Sequence, residues 1–323
     1  MTNMTRSSEL TVVADIGGTN TRIALASGQR VMTETIARFP NAESANFTQV
    51  LDRYLADNSV KPQSICVAVA GPVQNGQATL TNLNWSFDEN TLCERTGAQL
   101  AVITNDLQAQ GYAVGHLDAD QLQPLLPHAA EAPTDASGLV IGVGTGFNAA
   151  PIHHAHGLTV VPASECGHIN LPQRSAPHRE LADMLNTEDG FASIEHVLSG
   201  RGLTTLYRFV AGADAKALPA QDIMHACAAG DALATETVRL AVQLLGAVAG
   251  DLALTHLPFG GIYFVGGVSR ALAPYFGPFG FGDAFRDKGR FSDFMKAFPV
   301  SLVTDDYAAL LGCALLVSQR NQT

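Results

Sequence analysis

The sequence predicts an α/β protein with two lobes, and three observations support this fold class. The chain has 323 residues, which is more than one hydrophobic core usually serves. Apolar runs typical of strands alternate with amphipathic stretches typical of helices along its length. A pattern of strand, glycine loop and strand near the N-terminus occurs again in the middle of the chain. This recurrence indicates one such pattern in each lobe.

Composition and charge narrow the function classes. Hydrophobic residues make up 46% of the chain and charged residues 15%, as in ordinary globular proteins. A formal net charge of −11 argues against nucleic acid or an anionic membrane surface as the main partner. The 5 cysteines are scattered without any C-x-x-C spacing, and the N-terminus has no apolar signal segment. We therefore expect a cytoplasmic protein with no membrane span.

The first third of the sequence predicts the small lobe. The segment "VVADIGGTNTRIALA" gives a strand, a glycine turn and a second strand. A polar helical stretch near residues 43–58 precedes another strand, "SICVAVAG". Leu100 to Thr104 form a further strand, and a helix start follows it. Residues 117–137, which contain three of the prolines, are predicted to be a connecting loop.

The rest of the chain predicts the large lobe and a returning helix. The segment "GLVIGVGTGFNAAPI" repeats the strand, glycine loop and strand pattern. Residues 231–256 have the apolar spacing of a long helix, and "GGIYFVGGVSR" reads as a strand followed by a helix start. We expect residues 1–116 plus about 307–323 to form the small lobe and residues 117–306 the large one.

The glycine loop at residues 15–20 is the first candidate site. Its residues fit neither the P-loop spacing nor the dinucleotide-binding spacing. It also joins two strands, whereas those motifs open a helix. Paired glycines can present successive backbone amides to phosphate oxygens, and Thr19 and Asn20 add donors. The Asp15 carboxylate would repel phosphate unless a magnesium ion lay between them.

A plain hairpin is the commoner explanation of such a loop taken alone. A similar glycine loop occurs again, however, at Gly142, Gly144, Thr145 and Gly146. A further glycine pair, Gly266 and Gly267, follows a later strand. Two loops that hold one polyphosphate explain both copies with a single ligand.

Polar residues beyond the glycine loops provide candidates for chemistry on a sugar. Asp106 follows a strand at a helix start, where it could cap the helix or accept a proton from a substrate hydroxyl. A helix N-terminus is expected to keep its pKa low. Glu165 and His168 share one short loop and Glu195 comes later, and carboxylates with imidazole suit the hydroxyls of a hexose. Each residue alone is more often structural.

The motifs together are more specific than any one of them. The paired glycine loops resemble the superfamily of actin, chaperone ATPases and sugar kinases. The full set closely resembles the bacterial glucokinase family of the non-ROK type, over about residues 12–312. The motifs occur in the order "ADIGGTNTRIAL", "TNLNW", "ITND", "GVGTG", "ECGH", "HVLSGRGLTTLYR", "GGIYFVGGV" and "AFRDKGRF".

This resemblance implies a two-lobed actin-like ATPase (ribonuclease H-like) fold with ATP and sugar in the interlobe cleft. It implies ATP-dependent phosphorylation of glucose at the 6-hydroxyl, with Asp106 as base, Mg²⁺ at Asp15, and a plausible homodimer. The hexose ligands would be Asn105, Asp106, Glu165, His168 and Glu195. The nucleotide would be bound by Ala14, Asp15, Ile16, Gly17, Gly18, Thr19, Asn20, Gly144, Thr145, Gly146, Gly266 and Gly267.

Three positions depart from the family pattern. Cys166 replaces a glycine of Glu-Gly-Gly-His, and Asn148 replaces the last glycine of Gly-Thr-Gly-Leu-Gly. Asn tolerates left-handed φ better than most residues, so we expect the second change to be mild. Tyr307 lies where Asp-Asn-Pro-Gly is usual. Other functions therefore stay open: a kinase for another hexose or amino sugar, a non-catalytic sugar sensor, or an ATPase that acts without sugar.

Overall fold

The computed structural model describes residues 10–80, 83–127, 133–212 and 215–322. The strands are β1 Leu10–Ile16, β2 Asn20–Ser27, β3 Arg30–Val31, β4 Ala37–Pro40, β5 Ser64–Val69, β6 Val73–Gln74, β7 Gln77–Leu80, β8 Trp85–Asp88, β9 Leu100–Asn105, β10 Leu122–Leu126, β11 Gly138–Val143, β12 Phe147–Ala155, β13 Leu158–Val160, β14 Gly261–Val265 and β15 Val300–Val303. The α-helices are α1 Phe47–Asn58, α2 Glu89–Thr96, α3 Asp106–Ala113, α4 Ala176–Asp189, α5 Gly200–Ala211, α6 Ala220–Ala228, α7 Ala232–His256, α8 Gly267–Leu272, α9 Phe281–Arg286 and α10 Ala308–Arg320.

The chain forms two compact units. Unit 1 comprises the residues up to Leu117 together with Asp305–Thr323, and unit 2 comprises Asp118–Thr304. The chain thus leaves unit 1 once and returns to it with α10.

The main sheet of unit 1 has the strand order β3-β2-β1-β5-β9, with β4 paired to β2. β1 and β2 are an antiparallel hairpin, whereas β1, β5 and β9 run parallel. Successive residues of β1 enter different cores, because side chains alternate across a strand: Val12 packs in the core with α1, and Val13 packs in the core with α10. The sheet is therefore buried on both faces.

Helix α10 packs against α3, the helix that begins at Asp106. The contact is close at Gly312, where an added Cβ would overlap the backbone carbonyl of Ala109. Only glycine allows this approach of the two helix backbones. The packing of α10 therefore fixes the position of the helix that carries Asp106.

We expect Gly312→Ala to destabilise the protein by about 1 to 3 kcal/mol, because a backbone carbonyl cannot rotate away from the new methyl group. Alanine otherwise favours a helix over glycine by about 1 kcal/mol, so a loss shows that the clash dominates. Gly115→Ala is the matched control, since Gly115 is exposed and has no atom within 4 Å of an added Cβ. Thermal melting of both variants tests this. Equal melting temperatures would contradict the close helix contact.

Unit 2 repeats the sheet topology of unit 1. Its order is β10-β15-β14-β11-β12-β13, in which β11 and β12 form an antiparallel hairpin and β11, β14 and β15 run parallel. The two glycine loops with similar sequences therefore join equivalent antiparallel strand pairs, β1–β2 and β11–β12, in two similar sheets. One strand departs from the prediction: Leu122–Leu126, expected to lie in a connecting loop, forms β10 and pairs with β15. Residues 128–132 of that predicted loop lie outside the described residues.

The long helix α7 lies in the core of unit 2. Its 25 residues are long and apolar enough to cross a membrane by length and composition alone, which the sequence analysis did not expect of any segment. In its most apolar window, however, 78% of the residues are buried inside the protein. Such burial is also typical of a core helix, so the helix is weak evidence for a membrane span. Leu233, which the apolar spacing of this helix would place on its buried face, is 43% exposed.

Candidate active site

The carboxylates Asp15 and Asp106 lie at the same edge of the unit 1 sheet. In the parallel register, Asp15 of β1 pairs with Ala68 of β5, and Ala68 pairs with Thr104 of β9. Asp106 follows two residues after Thr104, at the first position of α3. Parallel strands bring their carboxyl ends to one edge, which is why residues 91 positions apart in sequence share this part of the sheet.

Asn105, not Asp106, is the N-cap of α3. Its side chain accepts a hydrogen bond from Leu107 N at 3.0 Å, and the Gln108 side chain accepts one from Asn105 N at 3.4 Å. Asn105 Nδ2 also donates to the carbonyl oxygens of Val69 and Gly71, at 3.4 and 3.3 Å. The prediction that Asp106 caps the helix is therefore wrong by one residue. Capping by Asn105 leaves Asp106 available for chemistry.

The pKa of Asp106 is raised to about 7. Burial of the carboxyl is the largest cause, and the negative charge of Asp15 is the next. Hydrogen bonds from the amides at the start of α3, including Leu107 N at 2.8 Å, act in the opposite direction but are outweighed. The expectation that the helix N-terminus keeps this pKa low is therefore wrong. A carboxylate with a pKa near neutrality is suited to accept a proton at physiological pH.

The loop between β1 and β2 is tightly closed. Gly17 N donates to Asn20 O at 3.0 Å, and neither Gly17 nor Gly18 has a positive φ, so the loop does not use the left-handed region. Asn41, which is 3% exposed, donates from its side chain to Gly17 O at 2.8 Å and from its backbone to Thr19 O at 2.9 Å. Holding the carbonyl oxygens in this way is compatible with an anion beside the loop amides. Sequence reasoning missed Asn41 because it lies in no recognisable motif.

Asp15 is paired with Arg22 across the hairpin. The two residues are opposite one another in the β1–β2 register, and Arg22 donates to Asp15 Oδ2 at 3.1 Å. Burial nevertheless raises the pKa of Asp15 above its ordinary value, against the opposing effect of Arg22. Arg22 was not among the predicted site residues, although the strict alternation of β1 and β2 places it opposite Asp15.

In unit 2, the loop Gly144-Thr145-Gly146 closes the β11–β12 hairpin. Gly144 N donates to Gly146 O at 2.9 Å, and Gly200 N at the start of α5 donates to Gly144 O at 2.8 Å. Thr145 is exposed. The predicted strand-to-helix glycine pair is also present, because Gly266 caps α8 with φ 97° and Gly267 is its first residue. A side chain at Gly266 would both require this unusual φ and approach the carbonyl of Val143 to 2.5 Å.

Glu195 connects this loop to the predicted sugar residues. Its carboxylate accepts from Phe147 N at 2.9 Å, and a Cβ at Gly146 would lie 2.5 Å from its Oε2 atom. Its own backbone N donates to Gly167 O at 2.8 Å. Glu195 is half-buried and lies between helices α4 and α5, so it is not a solvated residue on a helix.

Glu165 directly precedes a short 3-10 turn and His168 is its last residue, and both are exposed. Neither Cys166 nor Asn148 has a positive φ, so the tolerance of asparagine for left-handed backbone is not used at residue 148. Asn148 instead bonds the turn with its side chain: it donates to Ser164 O and accepts from Cys166 N at 3.2 Å. The third departure, Tyr307, is 42% exposed, and its backbone N donates to Asp305 Oδ1 at 2.8 Å.

The structure thus brings the predicted residues together in two groups. Unit 1 holds the loop at residues 14–20 with Asn105 and Asp106, and unit 2 holds the loop at residues 144–146 with Glu165, His168, Glu195 and the pair Gly266 and Gly267. Each group contains a glycine hairpin together with acidic, amide or imidazole side chains.

Comparison with known proteins identifies the family. The glucokinase family model matches residues 12–320. A glucokinase of Chelativorans sp. (strain BNC1) is 36% identical over 312 residues, which cover 94% of this chain and 90% of the relative. The crystal structure of glucokinase from an Antarctic psychrotroph superposes with a TM-score of 0.85 at 32% identity, covering 96% of this chain and 99% of that one.

A more distant structure extends the likeness of the fold. The ROK family glucokinase from Streptomyces griseus, solved in complex with glucose and AMPPNP, superposes with a TM-score of 0.60 at 21% identity. The superposition covers 95% of this chain and 98% of that one. The predicted fold class, the two-lobed actin-like ATPase fold, is confirmed by these sugar kinases. With its family model, its relatives and its repeated sheet topology in agreement, the chain belongs to the glucokinase family.

Proposed function

We propose that this protein transfers the γ-phosphoryl group of ATP to the 6-hydroxyl of glucose, which yields glucose 6-phosphate for glycolysis. The observation that carries the proposal is Asp106, whose carboxyl lies at a strand end on the same sheet edge as the glycine hairpin and has a pKa of about 7. Phosphoryl transfer needs a group that orients the attacking hydroxyl and accepts its proton, close to residues that hold phosphate. Membership of the glucokinase family supports the choice of glucose.

The proposed mechanism gives each group of residues a separate task. Asp106 accepts the proton of the 6-hydroxyl while that oxygen forms its bond to the γ-phosphorus and the bond to the ADP oxygen breaks. Asn105 orients the sugar beside Asp106, and Glu165, His168 and Glu195 bind the other hydroxyls, because each hydroxyl both donates and accepts. The hairpin amides at residues 17–20 and at residues 144–146 bind the phosphates, and Gly266 and Gly267 contact the nucleotide.

Mg²⁺ fits the donor set of unit 1. A magnesium ion bound to ATP typically uses one or two protein carboxylates together with phosphate oxygens. Asp15 lies near the end of β1, just before the hairpin loop. Its negative charge raises the pKa of Asp106, so the two carboxylates act on one another. A cation held near Asp15 would reduce this repulsion and neutralise charge on the transferred phosphate. Arg22, at 3.1 Å from Asp15 Oδ2, keeps that carboxylate in place.

Two other functions are separated by one assay. A kinase for another hexose or an amino sugar would use the same residues, and a sugar sensor would bind the sugar without turnover. We expect a coupled ADP-release assay over glucose, mannose, fructose and glucosamine to give the highest kcat/KM with glucose. A higher kcat/KM for another sugar would show that this sugar, and not glucose, is the substrate. Glucose binding by calorimetry without ADP release would favour the sugar sensor.

The remaining assignments concern the setting of the reaction. We infer a cytoplasmic enzyme, because glycolytic substrates and reduced cysteines belong to that compartment. A homodimer is proposed on the family resemblance alone. Glucose and ATP are the proposed partners, and nucleic acid or membrane binding is not expected for a chain of net charge −11.

A further inference from the structure

Two positions that depart from the glucokinase pattern, Asn148 and Cys166, are in direct contact. Asn148 is the second residue of β12, directly after the Gly144-Thr145-Gly146 loop and Phe147. Its Oδ1 atom lies 3.2 Å from Cys166 N and 3.5 Å from Cys166 Sγ. The two departures therefore belong to one local structure, although 18 residues separate them in sequence.

The Asn148 side chain bonds the backbone on both sides of Glu165. Its Nδ2 group donates to the carbonyl of Ser164, the residue before Glu165, and its Oδ1 accepts from the amide of Cys166, the residue after it. An asparagine amide has the same donor and acceptor groups as a peptide unit, so this pair of bonds acts as a piece of strand pairing would. It fixes the backbone from which the Glu165 side chain extends.

Ser164 adds a second tie to the same strand. Its hydroxyl donates to Ala149 O at 2.6 Å, and because a hydroxyl has a single proton, the longer 3.2 Å approach to Asn148 Oδ1 is secondary. Asn148 and Ser164 are both half-buried, so these bonds are partly shielded from water. Glu165 and His168 themselves are exposed, and exposed side chains on a short turn need such support to hold one position.

We propose that the side chain of Asn148, with Ser164 O and Cys166 N, forms a clasp that positions Glu165 and His168 for the sugar. The proposal rests on the proposed function, in which these two residues bind the hexose. Asn148 is a positioning residue here, because it acts through the backbone of the turn.

The clasp predicts different results for neighbouring substitutions. Asn148→Ala removes both bonds to the turn, and we expect the KM for glucose to rise by about tenfold, because the unsupported turn would hold Glu165 and His168 in the binding position for only about a tenth of the time. The KM for ATP at saturating glucose should stay within about twofold. Asn148→Asp keeps an acceptor for Cys166 N but sets a carboxylate oxygen against Ser164 O, so its KM for glucose should rise at least as much as that of Asn148→Ala.

Substitution of the thiol is the matched control. Cys166→Gly and Cys166→Ala remove Sγ but keep the backbone amide that Asn148 binds. We expect both variants to keep glucose turnover within about tenfold of the wild type, and Cys166→Ala within about threefold, since no side chain that binds the sugar is lost.

Alkylation of Cys166 provides a readout that does not depend on activity. The thiol is half-buried, and burial raises its pKa, so iodoacetamide should modify it slowly in the wild type at pH 8. Asn148→Ala should speed modification of Cys166 by about fivefold or more, as measured by mass spectrometry of its peptide. The buried thiols Cys66, Cys227 and Cys313 serve as internal controls for general unfolding.

The outcomes separate the clasp from the proposed function. A raised glucose KM with faster alkylation confined to Cys166 supports the clasp. A glucose KM within twofold of the wild type in Asn148→Ala overturns it, and so does faster alkylation of all four thiols together, which would indicate general loosening. If the wild type does not phosphorylate glucose, the proposed function fails, and alkylation of Cys166 in Asn148→Ala still decides whether the clasp holds the turn.

Discussion

Asp106→Asn should abolish nearly all glucose phosphorylation while the protein stays folded and binds ATP. Asparagine cannot accept the proton of the attacking hydroxyl, and it presents a partial donor where a carboxylate accepts. A positioned base typically contributes about 100 to 10,000-fold to the rate, and we expect a loss of turnover within or above that range. The helix should persist, because its N-cap is Asn105 and Asn105 is unchanged.

The melting temperature is the control for this variant, and the raised pKa of Asp106 determines the direction in which it should change. Below pH of about 4 the carboxyl is protonated in both the folded and the unfolded protein, so burial carries no charge penalty. As the pH rises from there to about 7, the unfolded state loses the proton more readily than the folded state, and the wild type loses stability. Asp106→Asn avoids this loss, so at pH 8 it should melt at the same temperature as the wild type or above it.

The same carboxyl should govern the pH dependence of the wild type. Because Asp106 must be deprotonated to accept a proton, kcat/KM for glucose should fall as the pH is lowered through its raised pKa, which is about 7 without a cation at Asp15 and lower where Mg²⁺ reduces the repulsion between the two carboxylates. A midpoint near 4, the ordinary range of an aspartate, would contradict the raised pKa. Near-normal turnover in a stably folded Asp106→Asn protein would contradict the catalytic role altogether and leave Asp106 as a structural residue.

The sequence predicted the fold well because its glycine loops and apolar runs are local signals. The hairpin of β1 and β2, its repeat in β11 and β12, and the strand before Gly266 all follow from short-range patterns. Strand β10 was missed because Pro124 within it and Pro127 directly after it suggest a loop, although it is an edge strand, where proline is tolerated.

The parts of the site that sequence reasoning missed depend on long-range contacts. Helix position alone suggested a low pKa for Asp106, whereas burial and the charge of Asp15, which the parallel sheet brings to the same edge, raise it. The roles of Asn41 and Asn148 also depend on segments that approach only in the folded chain. Register across β1 and β2 could have identified Arg22 as the partner of Asp15, because the hairpin is closed by a short loop.

Gly167→Ala is the second substitution for which we expect a large effect. A Cβ at Gly167 would overlap the carbonyl oxygen of Phe147, which is a backbone atom and cannot rotate away. The turn would have to move off β12, and the bond from Glu195 N to Gly167 O at 2.8 Å would move with it. Glu195 is in turn bonded to Phe147 N, so one methyl group would displace three of the proposed sugar ligands, Glu165, His168 and Glu195.

A displacement of about 1 Å in such residues can reduce the rate by about 100-fold, and we expect kcat/KM for glucose to fall by at least that factor in Gly167→Ala. The overlap should also destabilise the protein by about 1 to 3 kcal/mol. Gly200→Ala is the matched control in the same unit, because an added Cβ at the start of α5 meets its nearest atom, Gly144 O, at an ordinary 3.5 Å. Turnover and melting should be measured on both variants. Equal kcat/KM in the two variants would show that the close contact between Gly167 and Phe147 does not position the proposed sugar ligands. A loss confined to Gly167→Ala would show that these ligands are positioned correctly only when residue 167 has no side chain.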